Sequence, residues 1–438
     1  MAARAPAGRA QALKSTPMTA SMPTHQTSKP FAPLAGVRVL DFSKVLAGPM
    51  CGQYLADLGA TVIKVEPCDG GDDTRRWPPI VGEDGAVFLS ANRNKQSIAV
   101  DLKTAAGRDV VMRLLEDSDV MIESYRKGAM ERLGLGQEEV RKRHPRLIYA
   151  SISGFGRTGP LSHLPGYDLM VQAFSGIMSV TGERNGGPVR AAFSPLDQTT
   201  GIWAAFGILA ALRERDATGV GRFLEVSLYE TAMAFLGYTS QIYWETGRTP
   251  PRCGTSHESL CPYQVFPAKD GEIMIGVGND SLFRSYCVAA GMPEMADDPK
   301  FRTNGDRVRH FDETVARVSE RTRQKTVDEW SQLLDEAGVP NSPIHSLDRV
   351  LAMPHTAERG IVMEYEHAAL GAMKTMAMPV TFDGEQRTVK RAPPLLGEHT
   401  AEILAAAGYD ADMIERLRRD GVVRTHGTPV GAAGTKVA

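Results

Sequence analysis

Cysteine is scarce in this 438-residue chain, and its five cysteines (Cys51, Cys68, Cys253, Cys261 and Cys287) form no CxxC pair. That pattern argues against a disulfide framework and a cysteine-ligated zinc, and it fits a reducing compartment. The ten histidines form no HExxH or comparable spacing, so no resident metal is expected. Excess charge is missing as well. A formal net charge of -2 supplies no global field for nucleic acid or an anionic membrane. No apolar run approaches the roughly 18 residues that cross a bilayer. The first strand-to-helix loop, Ser43–Pro49, carries one glycine and no GxGxxG, and GxxxxGK[ST] and GxSxG are absent, which argues against NAD or FAD, P-loop nucleotides and the α/β-hydrolase elbow. The N-terminal residues carry Arg4, Arg9, Lys14 and Lys29 but no Asp or Glu before position 31. Residues 1–32 read as a disordered tail of a cytoplasmic protein; the other reading is a transit-type presequence for the mitochondrial matrix. Residues 424–438 read as a second disordered tail.

Between the tails the composition is ordinary for a globular protein, 42% hydrophobic and 23% charged, and the length calls for two domains. Strand-like runs recur at VRVLDF (37–42), TVIKVE (61–66), SIAVD (97–101), DVMIES (119–124) and LIYASIS (147–153). Helical segments at 49–58, 104–116, 129–133 and 137–143 separate them. Strands alternating with helices imply βαβ units, hence an α/β domain with a doubly wound parallel sheet over residues 33–235. Long helices are expected around 197–215 and 228–246. A hairpin (YQVF, AKDG, EIMIGVG) followed by helices at 280–290, 307–324 and 326–337 predicts a smaller α+β domain over 250–355. Residues 356–423 then return to join the large domain.

The stretch Phe193-Ser194-Pro195-Leu196-Asp197-Gln198-Thr199-Thr200-Gly201 sets one carboxylate, Asp197, at the mouth of an apolar helix, Gly201 to Leu212. Free N–H groups at a helix start favour a negative charge there, and the plain reading is that Asp197 is an N-cap. Ligands of open α/β sheets bind beyond the carboxyl ends of the strands. The 43–49 loop leads into a helix start there, Lys103 follows one strand, and Tyr125, Arg126, Lys127 and Arg132 follow another. Each cation alone reads more readily as a solvated surface charge. Together with the tyrosine they suit an adenine ring bearing several phosphates, as in coenzyme A. His257, in Gly-Thr-Ser-His-Glu, reads as a loop or capping histidine rather than a base, and His163 is no stronger a candidate.

Longer motifs carry a resemblance. PLAGVRVLDFSKVLAGPMCGQYLADLGATVIKVEP, GDDTRRW, NRNKQSIAVDLKTAAG, ESYRKGAMERLGLG, SISGFGRTGP, GYDLMVQAFSGIMSVTG and RAPPLLGEHT resemble class III (family III) CoA-transferases from Pro33 to Val423. GDDTR, NRNK and the GT-H segment at 254–257 are similar to its dicarboxylate branch. The resemblance implies a Rossmann-like large domain, a small domain and an interlocked homodimer. It implies Asp197 as the catalytic aspartate and coenzyme A contacts at Val45, Ala47, Lys103, Tyr125, Ala129 and Arg132. It further implies an acyl-CoA and a small carboxylic acid as substrates, with no tightly bound cofactor. An arginine that some members carry after the second strand is Pro67 here. The glutamine or histidine of the oxalate branch is Leu46 or Lys44, which counts against oxalate as acceptor. Arg252 or Arg190 is a candidate partner for a distal carboxylate.

An ordinary aspartate ionises near 3.9 and is a poor nucleophile, so it must be held at attack distance from the thioester. Two other readings stand beside the transferase. The α-methylacyl-CoA racemases of the same fold need a base on each face of the substrate carbon, with a histidine just before the position of Asp168. Here that residue is Tyr167, and a phenol ionising near 10 is a weak base at neutral pH. Tyr167 and Asp168 are instead expected to shape the acyl pocket. A non-catalytic CoA-binding paralogue is the third reading.

Overall fold

The computed structural model describes residues 31–427, so the readings of residues 1–30 and 428–438 lie outside the described residues. Six parallel strands form the main sheet: β1 (Arg38–Asp41), β2 (Thr61–Glu66), β3 (Lys95–Val100), β4 (Val120–Glu123), β5 (Ile148–Ser153) and β6 (Phe223–Ser227). The short strand Val423–Arg424 joins its edge, antiparallel to β3. The spatial order is Val423–Arg424, β3, β2, β1, β4, β5, β6. Counting the parallel strands, this is the doubly wound 3-2-1-4-5-6 arrangement, which reverses between β1 and β4.

Strands β1–β5 are largely buried on both faces, which is why they read as near-continuous apolar runs rather than alternating ones; β6, at the edge, is half-buried. On one face Val39, Val62, Val120, Ile148 and Ala150 pack under α1 (Ala47–Asp57). On the other, Leu40, Ile63, Ile98, Met121 and Tyr149 pack under α2 (Ala105–Leu115) and the helix Thr400–Ala406. Thr104 caps α2 by accepting the Gly107 N–H at 3.0 Å. A third core surrounds the antiparallel sheet of Tyr263–Pro267, Glu272–Gly276 and Asn341–Pro343, with Phe266, Ile275, Tyr286 and Trp330 fully enclosed.

Past β5 come α3 (Asp168–Phe174), α4 (Pro195–Thr218) and α5 (Leu228–Phe235). The sequence placed this long helix around 197–215, with its apolar stretch from Gly201; the helix begins two residues earlier, at Pro195. Pro195 takes its first position, where a missing N–H is no loss, and Ser194 precedes it in the left-handed conformation (φ 51°, ψ 59°) without a side-chain capping bond. Asp197 is therefore the third residue of the helix, not its N-cap. The helix expected over 228–246 breaks at Leu236, and the one expected from 307 breaks at His310. α1 and α4 touch backbone to backbone: a Cβ on Gly201 would fall 2.5 Å from the Ala47 carbonyl oxygen. Only glycine permits that approach. Among the described residues, no helix is long and apolar enough to cross a membrane.

Candidate active site

The reversal of strand order between β1 and β4 opens a crevice at their carboxyl ends, and a cavity of about 370 Å³ fills it. Its walls are the β1–α1 loop (Lys44–Gly48), the segment after β4 (Ser124–Lys127), the segments after β5 (Ser153, Gly154, Arg157 and 162–167) and Asp197 from α4. The structure thus brings Val45, Ala47, Tyr125, Tyr167 and Asp197 to one cavity, along with Lys44, Arg126, Lys127 and His163.

The Asp197 carboxylate is partly buried and has no hydrogen-bond partner among the described residues. Burial, reinforced by the charge of Asp168, pushes it up to about 7. The sequence assigned the free N–H groups of the helix start to this carboxylate; they are occupied. Buried Asp168 takes them, one oxygen accepting from the N–H of Leu196 at 2.7 Å and of Asp197 at 3.1 Å. Its other oxygen accepts from Gln172, whose own carbonyl oxygen accepts the Ala191 N–H at 2.9 Å. Asp168 therefore caps α4 from outside and leaves Asp197 desolvated beside a like charge. It reaches that place because Gly154 and Gly166 cross closely: a Cβ on Gly154 would lie 2.5 Å from the Gly166 Cα.

Tyr167 is 56% exposed and faces the cavity, with Asp168 just behind the wall. Lys103, Ala129 and Arg132 lie outside the lining: Lys103 is exposed beyond β3, and the Arg132 guanidinium folds back over Gly128. The Lys44 ammonium stands 6.0 Å from the centre of the Tyr125 ring, and Lys127 donates to the Ser162 hydroxyl at 3.0 Å. His257 lies elsewhere, its Nδ1 accepting the Ser259 N–H at 3.0 Å while its ring stacks on Tyr238. Arg252 donates to the Gly186 carbonyl at 2.9 Å and Arg190 is exposed; neither lines the cavity.

Two groups of supporting residues escaped the sequence reading. Arg157 ties the strand ends together, donating to Ser151 Oγ at 2.6 Å, the Tyr125 carbonyl at 2.7 Å and Glu123 at 2.5 Å. It sits in the SISGFGRTGP motif, so its place was marked but its role was not. Beneath the β1–α1 loop, fully buried Lys95 donates to Asp41 at 2.8 Å, the Pro49 carbonyl at 2.7 Å and Asn92 at 2.9 Å. Burial and neighbouring Lys64 push its ammonium down to about 8 against the pull of Asp41. Above them Val45, a β-branched residue, holds φ at 72°. Such a left-handed backbone costs on the order of 1–3 kcal/mol and persists only where its surroundings enforce it. Among the described residues no group of three or more His, Cys, Asp or Glu is placed to hold a metal ion.

A doubly wound sheet with a ligand crevice at its switch point and a desolvated carboxylate inside describes a Rossmann-like α/β enzyme. The chain belongs to CoA-transferase family III, whose model matches residues 34–400, and it is a transferase of that family. The human succinyl-CoA:glutarate CoA-transferase is 40% identical over 90% of this chain and 91% of its own. The succinate–glutarate CoA-transferase of Agrobacterium fabrum is 39% identical over 88% of this chain and 97% of its own. An acetyl-CoA:oxalate CoA-transferase from Acetobacter aceti is 40% identical over 86% and 96%, so overall identity does not separate the acceptors. Among solved structures, a CAIB/BAIF family protein from Brucella suis superposes with a TM-score of 0.77 at 36% identity, covering 86% of this chain and 100% of its own.

Proposed function

We propose that this enzyme moves coenzyme A from succinyl-CoA to a dicarboxylic acid, with Asp197 as the covalent carrier. The observation that carries the reading is the Asp197 carboxylate, stripped of hydrogen-bond partners and raised to about 7 in a cavity at the sheet's switch point. A carboxylate that has already shed its water attacks without first losing a solvation shell, and a higher pKa goes with a stronger nucleophile. It attacks the thioester carbonyl, expelling the CoA thiolate and leaving a mixed anhydride. The thiolate then adds to the aspartyl carbonyl, releasing the donor acid and leaving an aspartyl-CoA thioester. An acceptor carboxylate runs the two steps in reverse. The names of the glutarate relatives supply the donor and the acceptor class. Leu46 and Lys44 in the first loop support a dicarboxylate longer than oxalate.

Within this reading Val45, Ala47 and Tyr125 contact the coenzyme A chain in the cavity. Lys103, Ala129 and Arg132 meet its nucleotide end beyond the lining, and Tyr167 and Asp168 bound the acyl pocket. No tightly bound cofactor takes part, and no nucleic acid or membrane partner is invoked. Residues 33–235 act as the large domain, 250–355 as the small one, and 356–423 as the returning segment. We place the protein in the cytoplasm, which its five free cysteines fit. It works as an interlocked homodimer: Ile202, Trp203 and Phe206 on α4 are 46, 47 and 63% exposed, an apolar face of the kind that marks a subunit interface.

The test incubates succinyl-CoA or acetyl-CoA with glutarate, itaconate, mesaconate, malate or oxalate and separates the acyl-CoA products, wild type beside Asp197→Ala. A new thioester from wild type alone supports the reading and identifies the acceptor. Exchange of the α-proton of a 2-methylacyl-CoA in deuterated water, without transfer, overturns it in favour of a racemase. Binding of acyl-CoA with neither reaction would leave the non-catalytic reading.

A further inference from the structure

The GDDTRRW motif, the buried ion pairs beneath the first loop and the strained backbone of Val45 meet at one side chain. Asp72 is buried, and its Oδ1 accepts the Thr74 N–H at 3.0 Å, the Thr74 hydroxyl at 2.8 Å and the Val45 N–H at 3.2 Å. Its Oδ2 is 2.9 Å from the Lys64 ammonium, which also donates to the Ser43 carbonyl at 2.9 Å. Asp72 is itself fixed through its own N–H, donated to Glu66 at 3.0 Å. The loop is thus clamped at two points, the Ser43 carbonyl by Lys64 and the Val45 N–H by Asp72. Val45 and Ala47 line the cavity that holds Asp197, and Ala47 is in backbone contact with α4 at Gly201.

We propose that Asp72 is a positioning residue for CoA transfer: by holding the Val45 N–H it enforces the left-handed turn that sets Val45–Ala47 against the cavity of Asp197. This rests on the reading of that cavity as the acyl-CoA site. A hydrogen bond to an ionised acceptor is stronger than a neutral one, so the charge of Asp72 is what keeps a β-branched residue in this conformation. Without it Val45 relaxes towards negative φ and the cavity wall moves.

The experiment measures kcat and KM for acyl-CoA in wild type, Asp72→Asn, Val45→Gly and the double variant. Asparagine keeps the shape and removes the charge; glycine adopts positive φ without strain. Asp72→Asn should raise KM for acyl-CoA about tenfold, the worth of one charge-assisted hydrogen bond, while kcat falls less. In the Val45→Gly background the same change should cost about threefold or less, because the turn no longer needs enforcing. Equal losses in both backgrounds overturn the proposal. Hydrogen exchange gives a readout independent of activity. Selective acceleration of the amides of residues 43–48 in Asp72→Asn supports the proposal; uniform acceleration across β1–β6 means Asp72 only holds the fold and overturns it. Should Asp72→Asn fail to fold, the charge-neutral pair Lys64→Met/Asp72→Asn enters the same cycle. If wild type transfers no coenzyme A, the functional reading fails while the exchange result still judges the clamp.

Discussion

Glu66 and Asp197 are both carboxylates withdrawn from water, yet their acidities move in opposite directions. Burial alone would raise Glu66, but the Arg75 guanidinium grips both of its oxygens at 2.7 and 2.8 Å, Lys64 adds charge and Ser97 donates at 2.7 Å. The result is a proton affinity below the ordinary carboxylate range. Asp197, only partly buried, has no donor and a like-charged neighbour, Asp168, and rises to about 7. The difference teaches that burial does not decide the state of a carboxylate; its partners do. Beneath the loop every charge is answered, and the scaffold is fixed. At Asp197 the answer is withheld, and the proton affinity rises.

The largest expected effect falls on the reactive side. Asp197→Ala should lower acyl transfer by more than about 10³-fold, as loss of a covalent nucleophile does, with the fold intact by circular dichroism. On the scaffold side, Arg75→Met should destabilise by about 3–5 kcal/mol in denaturant titration, because it strands Glu66 and Asp84 as uncompensated buried charges. Asp197→Asn should do the opposite. A carboxylate raised in the folded state carries a penalty that is absent below its unfolded value near 4, grows as pH climbs to about 7 and is full above it. Removing the charge should therefore stabilise the protein at pH 8, on the order of 2 kcal/mol, and leave its stability at pH 4 unchanged. Equal stability at both pH values would break the contrast between the two regions. The smallest effect concerns pH dependence. In wild type, kcat/KM for acyl-CoA should rise with pH to a plateau above about 7, as the nucleophile ionises. Asp168→Asn removes the repelling charge and should move that midpoint down; a fixed midpoint would assign the whole rise to burial.

Five strands of the sheet were legible because they are largely buried and spell mostly apolar runs between helix signals; Phe223–Ser227, only half-buried at the far edge, and the two-residue Val423–Arg424 were not. Asp197 was legible through its SPLDQTTG setting and the family motifs, and its cavity through the rule that ligands gather at strand ends. Its electrostatics were not. Asp168 lies 29 positions earlier, and it reaches the helix start only through the Gly154–Gly166 crossing. The start of α4 falls two residues before the expected 197, at Pro195, a good first-turn residue. The charged members of TVIKVE were taken as ordinary strand residues. Lys64 and Glu66 are 1 and 2% exposed, and nothing local announces that Asp72 and Arg75 will fold back to meet them.

The two-residue strand Val423–Arg424 is slight, but it occupies the flank of β3, and the Arg424 carbonyl is held there by the Thr400 hydroxyl at 2.7 Å. Strand flanks left bare are templates on which other chains polymerise. Together with His399, whose N–H donates to the Ser97 carbonyl at 3.0 Å, these two residues cover this one edge of the sheet. Ending the chain at Gly421, or placing proline at 423, would expose β3, and the protein would be expected to precipitate on storage even where its active site remained perfectly assembled.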